Sequence, residues 1–374
     1  MVLGWGRHQA LAPVEPVQAE GGGCAGARTE LHPNCNNFLI ALPLFPMINR
    51  VLAFGVVALV TAACGPRGQA GRDDGLRVVT TVAPITSITA NIAGEMASVT
   101  GLVPEGTNSH TFEPPPSAAK ALSRADVVLI NGLKLEEPTK ELAGKNLKRG
   151  AEIVELGTLT IEPADYIYDF SFPEEGAKPN PHLWTNPPMA KRYAEIIAET
   201  LERRDPPHGA TYRSNYEKFA AKVDTFDQAM KQATATLPAE RRKLLTYHDA
   251  YAYFANHYGW SVIGAIQPSS FEEPTPKEVA DLITQVREAG VPAIFGSEVF
   301  PSPVLEQIGK EARVKYVDVL RDDDLPGEPG DANHSWLGLM RFDFITMVEA
   351  LGGDASALKA VKVGDAPDRA FYPQ

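Results

Sequence analysis

The sequence predicts an α/β protein of two lobes, each with a parallel sheet flanked by helices, joined by one long connecting helix. Three observations carry this prediction. Short aliphatic runs alternate with helix-length segments from Leu76 to Leu156, the alternation returns from Lys243 to Leu351, and one uninterrupted helical repeat lies between them. Strands that alternate with helices pair in parallel, because each helix carries the chain back across the sheet. At 374 residues the chain exceeds one typical core, and 44% hydrophobic residues suffice for two.

In the first series, Leu76 to Val82 reads as a buried strand, Ile85 to Ala97 as a helix and Ser117 to Arg124 as a short helix. Asp126 to Asn131 and Glu152 to Leu156 read as further strands. In the second series, strands are predicted at Lys243 to Tyr247, Ser261 to Ile266, Ala293 to Phe295 and Val314 to Leu320. Helices are predicted at Asp249 to Tyr258, Pro276 to Ala289, Ser302 to Ala312 and Ser335 to Leu351. Between the series, Tyr212, Tyr216, Phe219, Val223, Phe226, Met230, Ala233 and Leu237 recur at alternating steps of four and three, with no Gly or Pro from 210 to 237. Such a repeat makes a helix of about 27 residues, roughly 40 Å long, which reaches both lobes. The expected organisation is an N-terminal lobe over 76–208, the connector over 209–237 and a C-terminal lobe over 238–374. A single rigid connector predicts small movements on ligand binding.

Residues 1–63 read as an N-terminal extension plus a secretory signal. Met47-Ile48-Asn49-Arg50 supplies a positive start, Val51 to Val60 is apolar, and Thr61-Ala62-Ala63-Cys64-Gly65 closes with small residues before a cysteine. The apolar run falls well short of the roughly 20 residues a spanning helix needs. Met47 is the expected start, and the ending resembles a lipobox in which Cys64 is lipid-modified, with residues 64–75 as a tether. Cleavage there leaves Cys64 as the single cysteine, so neither an intrachain disulfide nor a thiolate metal site is available. The formal charge of -12 argues against nucleic acid as a partner.

A metal would then be held by His, Asp or Glu. Beyond Cys64 stand His110, His182, His208, His248, His257 and His334. Three occupy places where a chain builds a site. His110 lies just before Pro114-Pro115-Pro116, and His182 follows Pro181 and precedes Pro187-Pro188, so both sit in loops with restricted backbones. His248 follows a predicted strand, and strand ends are where α/β sheets collect ligands. Imidazole suits Zn²⁺ and is acceptable for Mn²⁺. A fourth ligand is available in Asp322-Asp323-Asp324, a run that is equally compatible with a solvated turn. His208 is expected at the surface, His257 at another azimuth of the helix after His248, and His334 in a Gly/Asp-rich loop. A metallohydrolase would need a base, for which only Glu113 and Asp249 are near, and no His-Glu-x-x-His motif, nucleophile elbow or phosphate loop occurs. A surface adhesin is a further alternative, but that role requires no set of ligand histidines.

From about Leu76 to Leu351 the chain resembles the metal-binding solute receptors of ABC importers. The matching segments are Asn108-Ser109-His110-Thr111-Phe112-Glu113-Pro114, Pro181-His182-Leu183-Trp184 and His248-Asp249-Ala250-Tyr251-Ala252-Tyr253-Phe254 with Tyr258-Gly259. Glu273-Pro274-Thr275, Ile294-Phe295-Gly296-Ser297-Glu298, and Asp323-Asp324-Leu325 before Leu339-Met340-Arg341 complete the match. The resemblance implies His110, His182, His248 and Asp323 as ligands, Asp323 being chosen by its place two residues before Leu325. It also implies a lipid-anchored extracytoplasmic monomer that delivers metal to an ABC permease and its ATPase. Histidine at the third position leans to Zn²⁺, with Mn²⁺ or Fe²⁺ as the alternative. In one departure from many zinc receptors, Glu162 to Pro181 carries no His-rich loop; it has Asp165, Asp169, Glu174 and Glu175 beside Tyr166 and Tyr168. That stretch is either a plain acidic loop or a weak collector of cations.

Overall fold

The computed structural model describes residues 75–169, 171–266, 274–297, 302–364 and 370–373. The readings made for the N-terminal extension, the signal, Cys64 and the tether up to residue 74 lie outside these residues. The first lobe contains β1 (Leu76–Thr80), α1 (Ala83–Ala93), β2 (Ala97–Gly101), α2 (Pro116–Arg124), β3 (Val127–Ile130), α3 (Glu137–Asn146), β4 (Glu152–Glu155) and α4 (Pro187–Arg204). Its four strands are all parallel, in the order β2-β1-β3-β4. Side chains alternate between the two faces of a strand, and here both faces are apolar. Val78, Val127 and Leu129 join the core with Ile85, Ile88, Tyr193 and Ile197, whereas Val79, Val128 and Ile130 pack with Leu122 and Ala143.

The helix predicted to run to Ala97 stops at Ala93. Gly94 turns the chain with φ of 56°, a conformation that glycine adopts without steric cost, and Ala97 then opens β2. β2, α3 and α4 were absent from the sequence reading. α4 begins at Pro187-Pro188, where a fixed φ suits the first helical turn and the missing N–H costs nothing.

The connector is α5 (Gly209–Ala235), 27 residues long. Its buried face, including Tyr212, Phe219, Val223, Phe226, Met230 and Ala233, belongs to the same core cluster as α1 and α4 on one side and Trp336, Phe344 and Met347 on the other. The lobes therefore share one continuous apolar core through this helix. That continuity favours small relative movements, because larger ones would expose closely packed side chains.

The second lobe contains β5 (Lys243–Thr246), α6 (Ala252–Tyr258), β6 (Ser261–Ala265), α7 (Pro276–Ala289), β7 (Ala293–Ser297), α8 (Pro303–Ala312), β8 (Lys315–Leu320), α9 (Trp336–Ala350) and α10 (Ser356–Ala360). Its strands are parallel but bond as two pairs, β5 with β6 and β7 with β8, each pair with a shift of register. Leu245, Ile283, Val286, Ile294, Leu305 and Ile308 fill the space beneath α7 and α8. The helix predicted from Asp249 starts only at Ala252. The carbonyl of His248 accepts from Thr246 Oγ1 at 2.8 Å and from the N–H of Ala250 at 3.1 Å, which holds residues 247–251 in an irregular turn. Past α10, Phe371 returns to the first lobe and pairs in parallel with Thr100 at the free edge of β2.

Candidate metal centre

Three loops at strand ends converge where the lobes meet. The first follows β2, and in it the Asn108 side chain accepts from the N–H of His110 at 3.0 Å. The second precedes α4 and carries the fully buried His182. The third follows β5 and carries His248. The Nε2 of His182 lies 3.1 Å from the Nε2 of His110 and 3.1 Å from that of His248. The ring centroids are 4.9 to 5.5 Å apart, so the three imidazoles point their distal nitrogens at one another.

The orientation of His182 follows from its neighbours. Asn180 Oδ1 lies 3.0 Å from the backbone nitrogen of His182 and 2.8 Å from its Nδ1. A backbone N–H can only donate, so the atom facing it is the carbonyl oxygen, and Nδ1 must also donate. The neutral ring then carries its lone pair on Nε2, toward the other two histidines.

The aspartate run completes the cluster. Asp322 Oδ2 is 2.9 Å from His248 Nε2, and the carboxylate of Asp323 accepts from the hydroxyl of Ser109. Asp324 turns aside and accepts from the N–H of Gly106 at 2.9 and 3.1 Å. The structure thus brings both Asp322 and Asp323 to the histidines and excludes Asp324 from them. Distant backbone contacts hold the run in place. Trp184 Nε1 donates to the Asp322 carbonyl at 2.8 Å, and Asp343 on α9 accepts from the N–H of Arg321 at 3.0 Å and from the Tyr251 hydroxyl at 2.8 Å.

Electrostatics separate the members of the cluster. Burial, then the charge of His248, holds His110 and His182 well below the ordinary imidazole range. Burial also pulls His248 down, but the adjacent Asp322, with Asp323 and Asp249 behind it, outweighs that and raises it to about 9. Burial, then the charge of Asp322, pushes Asp323 up to about 8. His248 and Asp323 thus hold protons that a divalent ion can replace, whereas His110 and His182 are neutral. Three imidazole nitrogens and one or two carboxylates around a single point make a donor set of borderline softness, suited to a first-row divalent metal. Each group of three, His110 with His182 and His248, and His182 with Asp322 and Asp323, offers ligand atoms within 4.8 Å of one another.

The other sequence candidates lie elsewhere. His208 is paired with Asp205 at 2.7 Å near the start of α5, and His257 with Asp227 at 2.8 Å. His334 is buried against Tyr372, 3.6 Å from Glu105. Glu113 is exposed, and the Asp249 carboxyl is buried facing that of Asp169; burial, then this like charge, pushes Asp249 up to about 8.

The acidic stretch divides into two kinds of residue. Asp165, Glu174 and Glu175 are exposed, but Asp169 turns inward and Phe172 lies over the histidines, 5.4 Å from His110 and 5.7 Å from His182 between ring centroids. Sequence reasoning missed the parts played by Ser109, Phe172, Asn180 and Asp343, and it offered Asp322 only as an alternative to Asp323. Only Asn180, two residues before His182, had a readable signal, since a short polar side chain before a turn commonly bonds the backbone two positions on.

The profile of the family described as zinc-uptake complex component A, periplasmic, matches residues 78–350. The manganese-binding lipoprotein MntA of Halalkalibacterium halodurans is 29% identical over 298 residues, covering 79% of this chain and 96% of that protein. The iron-binding protein YfeA of Yersinia pestis is 27% identical over 311 residues, covering 82% of this chain and 97% of its own length. The solved periplasmic zinc-binding protein TroA of Treponema pallidum matches with a TM-score of 0.67 at 26% identity, covering 74% of this chain and 99% of that one. Zinc, manganese and iron thus all appear among the relatives' names. The metallohydrolase alternative falls, because the family is one of solute-binding proteins and not of enzymes. By the match over residues 78–350, this chain belongs to the zinc-uptake complex component A family, the substrate-binding proteins of metal ABC transporters.

Proposed function

We propose that this protein captures Zn²⁺ between its lobes and hands it to the permease of an ABC importer, which its ATPase drives. His110, His182, His248 and Asp323 are the ligands in this reading. The observation that carries it is the meeting of three Nε2 atoms, drawn from loops far apart in sequence, within 3.1 Å steps. Nitrogen-rich sites favour Zn²⁺ over Mn²⁺ and Fe²⁺ at equal availability. The chain's own part is to offer preformed lone pairs, to release protons as the ion arrives, and to keep water out with Phe172 and Trp184. Delivery requires only that the two lobes part by a small amount, since His110 and His182 lie on one and His248 and the aspartates on the other.

A second reading has its own support. Asp322 lies as near to His248 as a ligand partner would, and a site with two carboxylates is harder and fits Mn²⁺, the metal in the name of MntA. Loading the metal-free protein from Gly65 onward with both ions, followed by mass spectrometry under competition, decides between them. One Zn²⁺ per chain that excess Mn²⁺ does not displace is the expected result. Retained Mn²⁺ would move the function to manganese supply, and no bound metal would overturn both readings.

The relatives named as lipoproteins support an extracytoplasmic location with Cys64 as the lipid-bearing residue. Metabolic labelling with a radioactive fatty acid should mark the wild-type chain and not Cys64→Ser; equal labelling would refute this. A monomer is the expected form, checked by light scattering.

A further inference from the structure

The Asp169 carboxylate joins two features that the binding reaction needs together. Its Oδ1 accepts from the N–H groups of Ser171 and Phe172 at 3.1 and 3.0 Å, while its own N–H donates to the Phe172 carbonyl at 2.9 Å. This closed turn seats the Phe172 ring, 6% exposed, against His110 and His182. Its Oδ2 accepts from Asn180 Nδ2 at 2.7 Å. The same amide takes the Nδ1 hydrogen of His182 on its oxygen and donates to the Asp249 carbonyl at 2.6 Å.

Asn180 can serve His182 only while its oxygen faces the imidazole, and the amide is fixed in that sense by the His182 N–H on one side and by the acceptors on the other, Asp169 Oδ2 and the Asp249 carbonyl. An outer carboxylate that orients a ligand histidine commonly changes metal affinity by about 10- to 100-fold. Here the carboxylate that orients the ligand is also the one that closes the loop over it. We propose that Asp169 is the positioning residue that couples the seating of Phe172 over the site to the orientation of His182, and so sets how slowly the site releases its metal. The inference rests on the metal-binding reading above and goes beyond it by assigning a role to a residue outside the ligand set.

Release of Zn²⁺ into excess chelator, followed by stopped flow on the protein from Gly65 onward, tests it. Asp169→Ala should speed release by about tenfold or more and shift the visible spectrum of the Co²⁺-loaded protein, because the amide that orients the imidazole loses its charged acceptor. Phe172→Ala removes the cover but not the hydrogen bond to His182, so release should quicken with the Co²⁺ spectrum unchanged. Asp169→Asn keeps the volume but must present its NH₂ either to that of Asn180 or to the N–H groups of Ser171 and Phe172, so it should quicken release as well. This second variant keeps the test available if Asp169→Ala does not fold. Wild-type release rates in Asp169→Ala or in Asp169→Asn would overturn the inference alone. Failure of the wild-type protein to bind Zn²⁺ or Co²⁺ would overturn the metal-binding reading and this inference with it.

Discussion

The Nε2 atoms of His182 and His248 stand 3.1 Å apart across 66 positions of sequence and across the junction of the two lobes. Two imidazole nitrogens at that distance cannot both carry a hydrogen, so the unloaded site already holds at least one lone pair directed inward. His182 is the shared neighbour of the other two histidines, and its removal should be the most damaging single change. His182→Ala is expected to weaken Zn²⁺ binding by more than about 100-fold, beyond the range of an outer-shell residue, with far-ultraviolet circular dichroism unchanged. Calorimetric titration giving wild-type affinity would refute its place in the ligand set.

Asp322 and Asp323 compete for the fourth position. With Asp323 as the ligand, Asp323→Ala should cost more than about tenfold in Zn²⁺ affinity, and Asp322→Ala clearly less. The reverse order in the same titration would exchange their assignments.

Glu136 predicts a pH dependence unrelated to metal. Its buried carboxylate accepts from Thr81 Oγ1 at 2.7 Å and from the N–H groups of Asn131 and Gly132 at 2.8 and 3.1 Å, yet burial pushes it up to about 7. A carboxyl raised in the folded state holds a proton there that the unfolded chain has released. Its contribution to stability is therefore complete below the ordinary value of 4.5 and is lost as pH rises through about 7. The loss is on the order of 3 kcal/mol. Urea unfolding of metal-free protein at several pH values should show this decline in the wild type and a flatter profile in Glu136→Gln. Identical slopes would show that the carboxyl is not perturbed.

Gly338 tests the packing that carries the aspartate run. It lies in the first turn of α9, and a Cβ built there would overlap the backbone carbonyl of Asn333. Because backbone and not a flexible side chain is in the way, Gly338→Ala should destabilise the protein by about 2 to 3 kcal/mol. An unfolding midpoint equal to that of the wild type would show that the 333–335 turn relaxes freely.

Local pattern determined a definite share of this protein. The steps of four and three from Tyr212 to Leu237 specify one long helix, and α5 spans 27 residues, because periodicity is a property of consecutive side chains on one cylinder. Alternating strands and helices likewise carry the parallel α/β class, and proline restricts the loops holding His110 and His182. Tertiary structure decided what those loops meet. Which of three adjacent aspartates faces the histidines depends on pins from Trp184 and from Asp343, the latter 20 positions beyond Asp323, and neither leaves a mark in the local sequence. Asp169 reads as one more acid of a polar stretch until folding sets it beside Asn180, while Asp165, Glu174 and Glu175 remain in solvent. The continuity of the core through α5 was equally hidden, since a hydrophobic stripe specifies that a face is buried but not which partner buries it. Sequence encodes the conformations of neighbouring residues, whereas the cluster of His110, His182 and His248 with Asp322 and Asp323 exists only where packing closes the distances between them.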